Sequence, residues 1–220
     1  MDWSVEPYGP RAWLVRFGRD LSGETMARAL AVARALETKP PEGLREFTMG
    51  FGSVLLESQG DDEAAARWGR SVLPGMIENW RVLDLDETAA RTVEIPVVYD
   101  GEDLAEVSRL TGLGAGEVIA RHSGREYRVW LLGFAPGFPY LGVLDEALHL
   151  PRRDTPRPRV AAGSVAIAGG QTGIYPAASA GGWHVIGRTA AKLFDPEAPD
   201  PFLLRPGDSV RFLAVGADDV

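Results

Sequence analysis

Ten of the 16 prolines fall between residues 131 and 210, interleaved with glycine pairs such as Gly169-Gly170 and Gly181-Gly182. Proline fixes φ and carries no backbone N–H, so a long helix cannot run through such a stretch. Short extended pieces remain, at Ser164 to Ala168, Trp183 to Ile186 and Ser209 to Ala214, each bounded by turn chemistry. This pattern predicts a compact β-barrel or sandwich with long ordered loops. Disorder is the alternative for so much proline and glycine, but Phe134, Phe138, Tyr140, Tyr175, Trp183 and Phe194 supply apolar area worth burying.

The first 90 residues read differently. Ala12 to Phe17 is a short apolar strand, and Ser22 is placed to cap a helix with Met26, Leu30, Ala33 and Leu36 on one face, ended by Pro40-Pro41. Leu44 to Met49 and Ser53 to Glu57 read as strands around Gly50-Phe51-Gly52. A second helix after Asp61-Asp62 carries Ala65, Trp68 and Val72 inward, and Pro74-Gly75 should end or kink it. With an extended piece at 81–85, the order is ferredoxin-like, an arrangement that hosts many functions. Residues 92–99 form a strand in which Pro96 suggests an edge or a strand start. Asp103 is placed to cap a helix ended by Gly112, a short helix runs from Gly116 to about His122, and Tyr127 to Phe134 is a strand. The expected class is therefore α+β: a small ferredoxin-like α/β domain over 1–90 and a β-barrel domain over 91–220.

A chain of 220 residues, 45% hydrophobic and 25% charged, is long enough for two such cores. The net charge of −8 makes a nucleic-acid partner unexpected. With no cysteine there is no thiolate nucleophile or thiolate metal site. Only Lys39 and Lys192 are lysines, and neither lies in a Walker-type loop. His122, His149 and His184 lack metal-ligand spacing, so no metal site is expected. The first seven residues have neither a basic nor an apolar signal region, and no run suits a membrane span. A cytoplasmic protein is expected.

Three segments carry the candidate chemistry. Gly133 to Gly142 (G-F-A-P-G-F-P-Y-L-G) is stiffened by two prolines and can present Phe138 and Tyr140 as rigid apolar walls, or simply pack them into the core. Leu150 to Val160 (L-P-R-R-D-T-P-R-P-R-V) holds four arginines within eight residues, suited to gripping a carboxylate or phosphate, or to forming a solvated basic loop. Ala162 to Thr189 gathers Gln171, Thr172, Tyr175, Ser179, Trp183, His184 and Arg188 near a glycine-rich backbone. That mixture suits a cleft for a small polar ligand, though hydroxyls that satisfy turns are an equal reading. Ser164 is not in a nucleophile elbow, and no carboxylate partner for Ser179 and His184 can be read from spacing.

These segments, followed by L-F-D and L-L-R-P-G-D-S-V-R-F, resemble the family of 5-oxoprolinase B subunits, also called the allophanate hydrolase subunit 1 or kinase-inhibitor (KipI-like) family. The likeness is strong over about residues 92 to 213, and the first 90 residues match in length and layout only. The resemblance implies a cyclophilin-like β-barrel behind a small α/β domain. It also implies work in a complex with two partner subunits, a homologous C and a separate A. That complex hydrolyses 5-oxo-L-proline to L-glutamate with ATP, the nucleotide held at least partly by the partners. Related branches form half of a biotin-dependent urea carboxyltransferase or inhibit a sensor histidine kinase. On this reading Arg157, Arg159, Arg188 and His184 are the catalytic candidates. Phe138, Tyr140, Gln171, Thr172, Tyr175, Ser179 and Trp183 would line the substrate site. His184 stands where the family commonly has glutamine, and Ala180 where it often has proline.

Overall fold

The computed structural model describes residues 3–18, 22–81, 83 and 91–217. The chain divides into two compact units, Met1–Thr88 and Ala89–Val220. In the first, β1 (Ser4–Pro7), β2 (Ala12–Arg16), β3 (Leu44–Gly50) and β4 (Ser53–Ser58) form an antiparallel sheet in the order β1-β2-β4-β3. Helix α1 (Gly23–Thr38) starts where expected, the Ser22 side chain accepting the Thr25 N–H at 3.3 Å. It buries Met26, Leu30, Ala33 and Leu36. Helix α2 (Asp62–Ser71) is capped by Asp61, which accepts from the Ala64 N–H at 2.9 Å.

Pro74-Gly75 does not end the helical run. Helix α2 stops at Ser71, and α3 (Leu73–Arg81) begins with Pro74 in its first turn, where no intrahelical N–H is required. The sheet also departs from the ferredoxin order among the described residues. The strand beside β2 is β1, which precedes the first helix; Arg81 belongs to α3, and most of 81–85 lies outside the described residues. The β1–β2 hairpin closes through Tyr8 N–H to Ala12 O at 2.8 Å, a short loop with little closure entropy to overcome. Val15, Phe17, Val32, Leu56, Trp68 and Trp80 pack into one core under this sheet.

The second unit holds β5 (Thr92–Val97), α4 (Leu104–Thr111), α5 (Ala115–Ser123), β6 (Glu126–Leu132), β7 (Pro139–Gly142), β8 (Arg157–Val160), β9 (Ser164–Ala168), β10 (Gln171–Ile174), β11 (Ser179–Gly181), β12 (His184–Arg188) and β13 (Ser209–Ala214). Seven strands form a sheet in the order β12-β9-β10-β7-β6-β13-β5, and β8 and β11 pair as a separate ribbon. Within the sheet only β13 and β5 run parallel, and β5, with Pro96, sits at an end of the order. The sheet curls until its ends meet: Val98 and Arg188 exchange main-chain hydrogen bonds of 2.9 and 2.8 Å.

Strand alternation splits the side chains between two clusters. Val165 and Ile167 of β9 join Ile95, Tyr127 and Phe212, covered by Val107 of α4 and Val118 of α5. Ala166 and Ala168 turn the other way, toward Phe138, Tyr175, Trp183 and Val185. Helix α4 ends at Gly112 in the left-handed region (φ 75°), as its sequence predicts. Asp103 precedes α4, but its carboxylate makes no capping bond there because stronger partners take it.

Candidate functional site

The aromatic face of β7, β10 and β12 builds the site. The tight β6–β7 connection holds Gly133 N–H on Phe138 O at 3.1 Å and Phe138 N–H on Ala135 O at 3.0 Å. Inside it Phe134 adopts φ 67°, a conformation rare for a non-glycine residue, and stays 63% exposed. Phe138 is buried and meets Tyr140, Tyr175 and Trp183 edge to face, with ring centroids 5.0, 5.3 and 5.6 Å away. Such offsets set the positive edge of one ring against the negative face of another. Two glycines make room. A Cβ at Gly173 would sit 3.0 Å from Phe138 Cζ and 3.1 Å from Trp183 Cζ3, and one at Gly181 would overlap the Tyr175 hydroxyl.

Beside these rings is a cavity of about 240 Å³. Phe134, Phe138, Tyr140, Tyr175 and Trp183 form its aromatic walls, and Pro156, Ala180, Gly181 and Gly182 lie along the 150–160 segment and β11. Arg152 is the one charged side chain among the described lining residues. Burial raises the Tyr140 phenol, opposed by the Arg152 charge. Burial raises Tyr175 as well, against the Trp183 main-chain N–H and Arg152.

The other expected residues take different places. Arg157 grips Asp103 with both terminal nitrogens, at 2.8 and 2.6 Å, and reaches Glu102 through Nε at 2.9 Å. Arg153 shares the same carboxylate at 2.7 Å, and the Val185 N–H donates to it at 2.7 Å. Burial alone would raise the Asp103 carboxyl; the bonds from Arg157 and Val185 and the two guanidinium charges outweigh it and hold it below the usual carboxylate range. Arg159 is exposed on β8. Arg188 pairs with Asp100 at 2.9 Å near the meeting point of the sheet ends.

His184 lies opposite Ile167, whereas Val185 lies opposite Ala166, so His184 faces away from the aromatic cluster. Its Nε2 bonds to Pro151 O at 3.0 Å, and its Nδ1 is buried with no hydrogen-bond partner. Thr172 likewise turns to the helix-covered face. It is fully buried, donates to Ala166 O at 3.1 Å and meets His122 Nε2 at 2.8 Å. Gln171 pairs with Ala168 on the aromatic face, outside the cavity lining. Gln171 Nε2 and Ser179 Oγ are buried without hydrogen-bond partners. The structure thus gathers Phe138, Tyr140, Tyr175 and Trp183 around one hollow and leaves the remaining candidates off its lining. The sequence reading passed over Arg152, whose four-arginine segment was the available signal, and Phe134, for which only G-F-A-P-G turn chemistry spoke. Among the described residues no three of His, Asp and Glu gather as a metal site, and no helix is long and apolar enough to cross a membrane.

The second unit is thus a curled mixed sheet backed by two helices, with an arginine beside an aromatic hollow, and the chain as a whole matches the carboxyltransferase class of folds. Residues 3–204 match the family described as carboxyltransferase domain, subdomain C and D. The chain is 37% identical to the 5-oxoprolinase B subunit of Bacillus subtilis (strain 168), over 99% of this chain and 95% of the relative. It is 56% identical to the protein of the same name from Escherichia coli O157:H7, over 61% of this chain and 63% of the relative. Of solved structures, TTHA0988 superposes with a TM-score of 0.78 at 45% identity, over 94% of this chain and 40% of that one. The urea carboxylase of Kluyveromyces lactis shares the fold, with a TM-score of 0.72 at 20% identity, over 99% of this chain and 22% of that one. The chain belongs to the carboxyltransferase-domain family, in the branch of the 5-oxoprolinase B subunits.

Proposed function

We propose that this chain is the B subunit of a cytoplasmic, ATP-dependent 5-oxoprolinase that opens 5-oxo-L-proline to L-glutamate together with A and C subunits. The observation that carries the reading is the similarity, along 99% of the chain, to a 5-oxoprolinase B subunit. In support, the described cavity lining contains no serine, histidine or carboxylate. Such a hollow can hold and orient a small molecule, and its titratable acids, the Tyr140 and Tyr175 phenols, are pushed up by burial and so are poor bases near neutral pH. At about 240 Å³ it lies below the roughly 300–1,000 Å³ of drug-sized ligand sites, which favours a small substrate over a nucleotide. ATP is assigned at least partly to the partner subunits.

In the reaction, the lactam oxygen takes the γ-phosphoryl group of ATP with release of ADP. Water then attacks the activated carbon, the C–N bond breaks, and phosphate and glutamate leave. Phe138, Tyr140, Tyr175 and Trp183 form the wall of this chain's part of the chamber. Arg157 and Arg188, each held by a carboxylate, serve as struts, and His184 braces the main chain at Pro151. We read the curled sheet as a cyclophilin-like barrel, and β2, β3, β4 and the helices of the first unit as a ferredoxin-like core bordered by β1.

The test is reconstitution. Glutamate release from 5-oxoproline should need ATP and all three subunits, with no turnover by this chain alone. Turnover by the isolated chain would overturn the division of labour. Dependence on a biotinylated carrier would favour a carboxyltransferase half, and stoichiometric block of kinase autophosphorylation would favour a regulator.

A further inference from the structure

The cavity has one cation and no anion among its described lining residues. A guanidinium beside apolar rings attracts an anion, and its planar fork matches a carboxylate. Ion pairing sets Arg152 apart from Arg153 and Arg157, and position sets it apart from Arg159, which is exposed on β8 and off the cavity lining. Arg153 and Arg157 spend their charge on Asp103, which is only 2% exposed, and on Glu106 and Glu102. Arg152 has no ion-pair partner among the described residues.

The main chain around it is also pinned on both sides. Pro151 O accepts from His184 Nε2 at 3.0 Å, and Arg153 N–H donates to Gly182 O at 2.8 Å. The Arg153–Asp103 pair adds a third hold one residue along. Side chains 152 and 153 therefore part company: one is drawn to the clamp, the other borders the hollow.

We propose that the cavity binds a small ring-bearing carboxylate, its carboxylate paired with Arg152 and its ring set among Phe138, Tyr140, Tyr175 and Trp183, with Asp103 as the positioning residue that keeps Arg152 at the rim. This rests on the 5-oxoprolinase reading only for the identity of the ring, 5-oxoproline being a five-membered lactam with one carboxylate.

The test measures binding to the full chain by calorimetry and ligand-observed NMR. The probes are 5-oxo-L-proline, 2-pyrrolidinone (the same lactam without the carboxylate) and benzoate. Wild type should prefer 5-oxoproline to 2-pyrrolidinone. R152Q should weaken 5-oxoproline at least about ten-fold, the usual scale for losing a charged hydrogen-bonded pair, and leave 2-pyrrolidinone unchanged. R152K should recover part of the loss, since the charge returns without the fork. D103N should also erode the preference for the carboxylate, whereas a merely structural defect would weaken both lactams together. Equal binding of 5-oxoproline by wild type and R152Q would overturn the proposal and leave the family membership standing. Arg152-dependent binding of benzoate but not 5-oxoproline would uphold the proposal and overturn the substrate reading. Failure of all three probes to bind at saturating concentration would overturn the proposal.

Discussion

At residue scale the interior contains a polar chain as ordered as the apolar packing around it. Tyr99 Oη meets His122 Nδ1 at 2.7 Å, His122 Nε2 meets Thr172 Oγ1 at 2.8 Å, and Thr172 donates to Ala166 O at 3.1 Å. Since the Thr172 proton goes to Ala166, the imidazole gives its Nε2 proton to Thr172 and accepts from Tyr99. That arrangement suits a neutral ring. Burial pushes the His122 pKa down to about 3, and Phe212 stacks on the ring at 4.6 Å. In the unfolded chain the same group titrates near the ordinary 6.5. Between about pH 3 and 6.5 the unfolded state therefore binds more protons, so this group makes stability rise with pH and fall on acidification. The expected slope is about 1.4 kcal/mol per pH unit well inside that window. Urea titrations from pH 7 to 4 should show it, and H122Q should lower stability at neutral pH yet flatten the slope by about one proton. An unchanged slope in H122Q would place the titration elsewhere. Gly181 makes a second residue-scale prediction. G181A should cost about 1–3 kcal/mol in denaturant unfolding, because the new methyl overlaps the Tyr175 hydroxyl.

Elements follow from their ends as much as from their faces. Ser22 and Asp61 each satisfy an otherwise unpaired N–H at a helix start, so S22A and D61A should each destabilise by about 1 kcal/mol in chemical unfolding. Arg188 offers the contrast. Its bond to Asp100 lies between two half-exposed side chains, so R188A should change stability by less than about 1 kcal/mol despite its place at the sheet closure. The main-chain pair at Val98 holds that closure in the variant as well. Local signals made most of these elements legible: the apolar period of α1, the glycine that ends α4, and the extended runs of β9 and β13. The restart at α3 was harder to read. Pro74 is a breaker in a helix interior but an acceptable first-turn residue, and only the position of the preceding stop distinguishes the two roles.

Over the whole molecule, the site depends on strand order and register. Phe138, Tyr175 and Trp183 come from separate segments, and the β7-β10-β9-β12 arrangement carries them to one face. The motifs G-F-P-Y, T-G-I-Y-P and G-G-W were visible as chemistry-rich text, and the aromatic wall could be anticipated from them. Which neighbours share a wall could not. Thr172 and His184 face the helix-covered core because they pair with Ile167, while Gly173 and Val185 pair with Ala166 on the other side. A shift of one residue would exchange the two sets. The β1 strand shows the same limit: its four residues carry too little pattern to announce that they border β2. By itself the sequence determined the class of structure and the chemistry available, since proline, glycine and apolar spacing act over a few residues. Only the tertiary structure decided which of the four arginines are held and which are left: Asp103, some fifty positions earlier, had its buried charge neutralised by Arg153 and Arg157, and of the remaining two only Arg152 lies on the cavity lining.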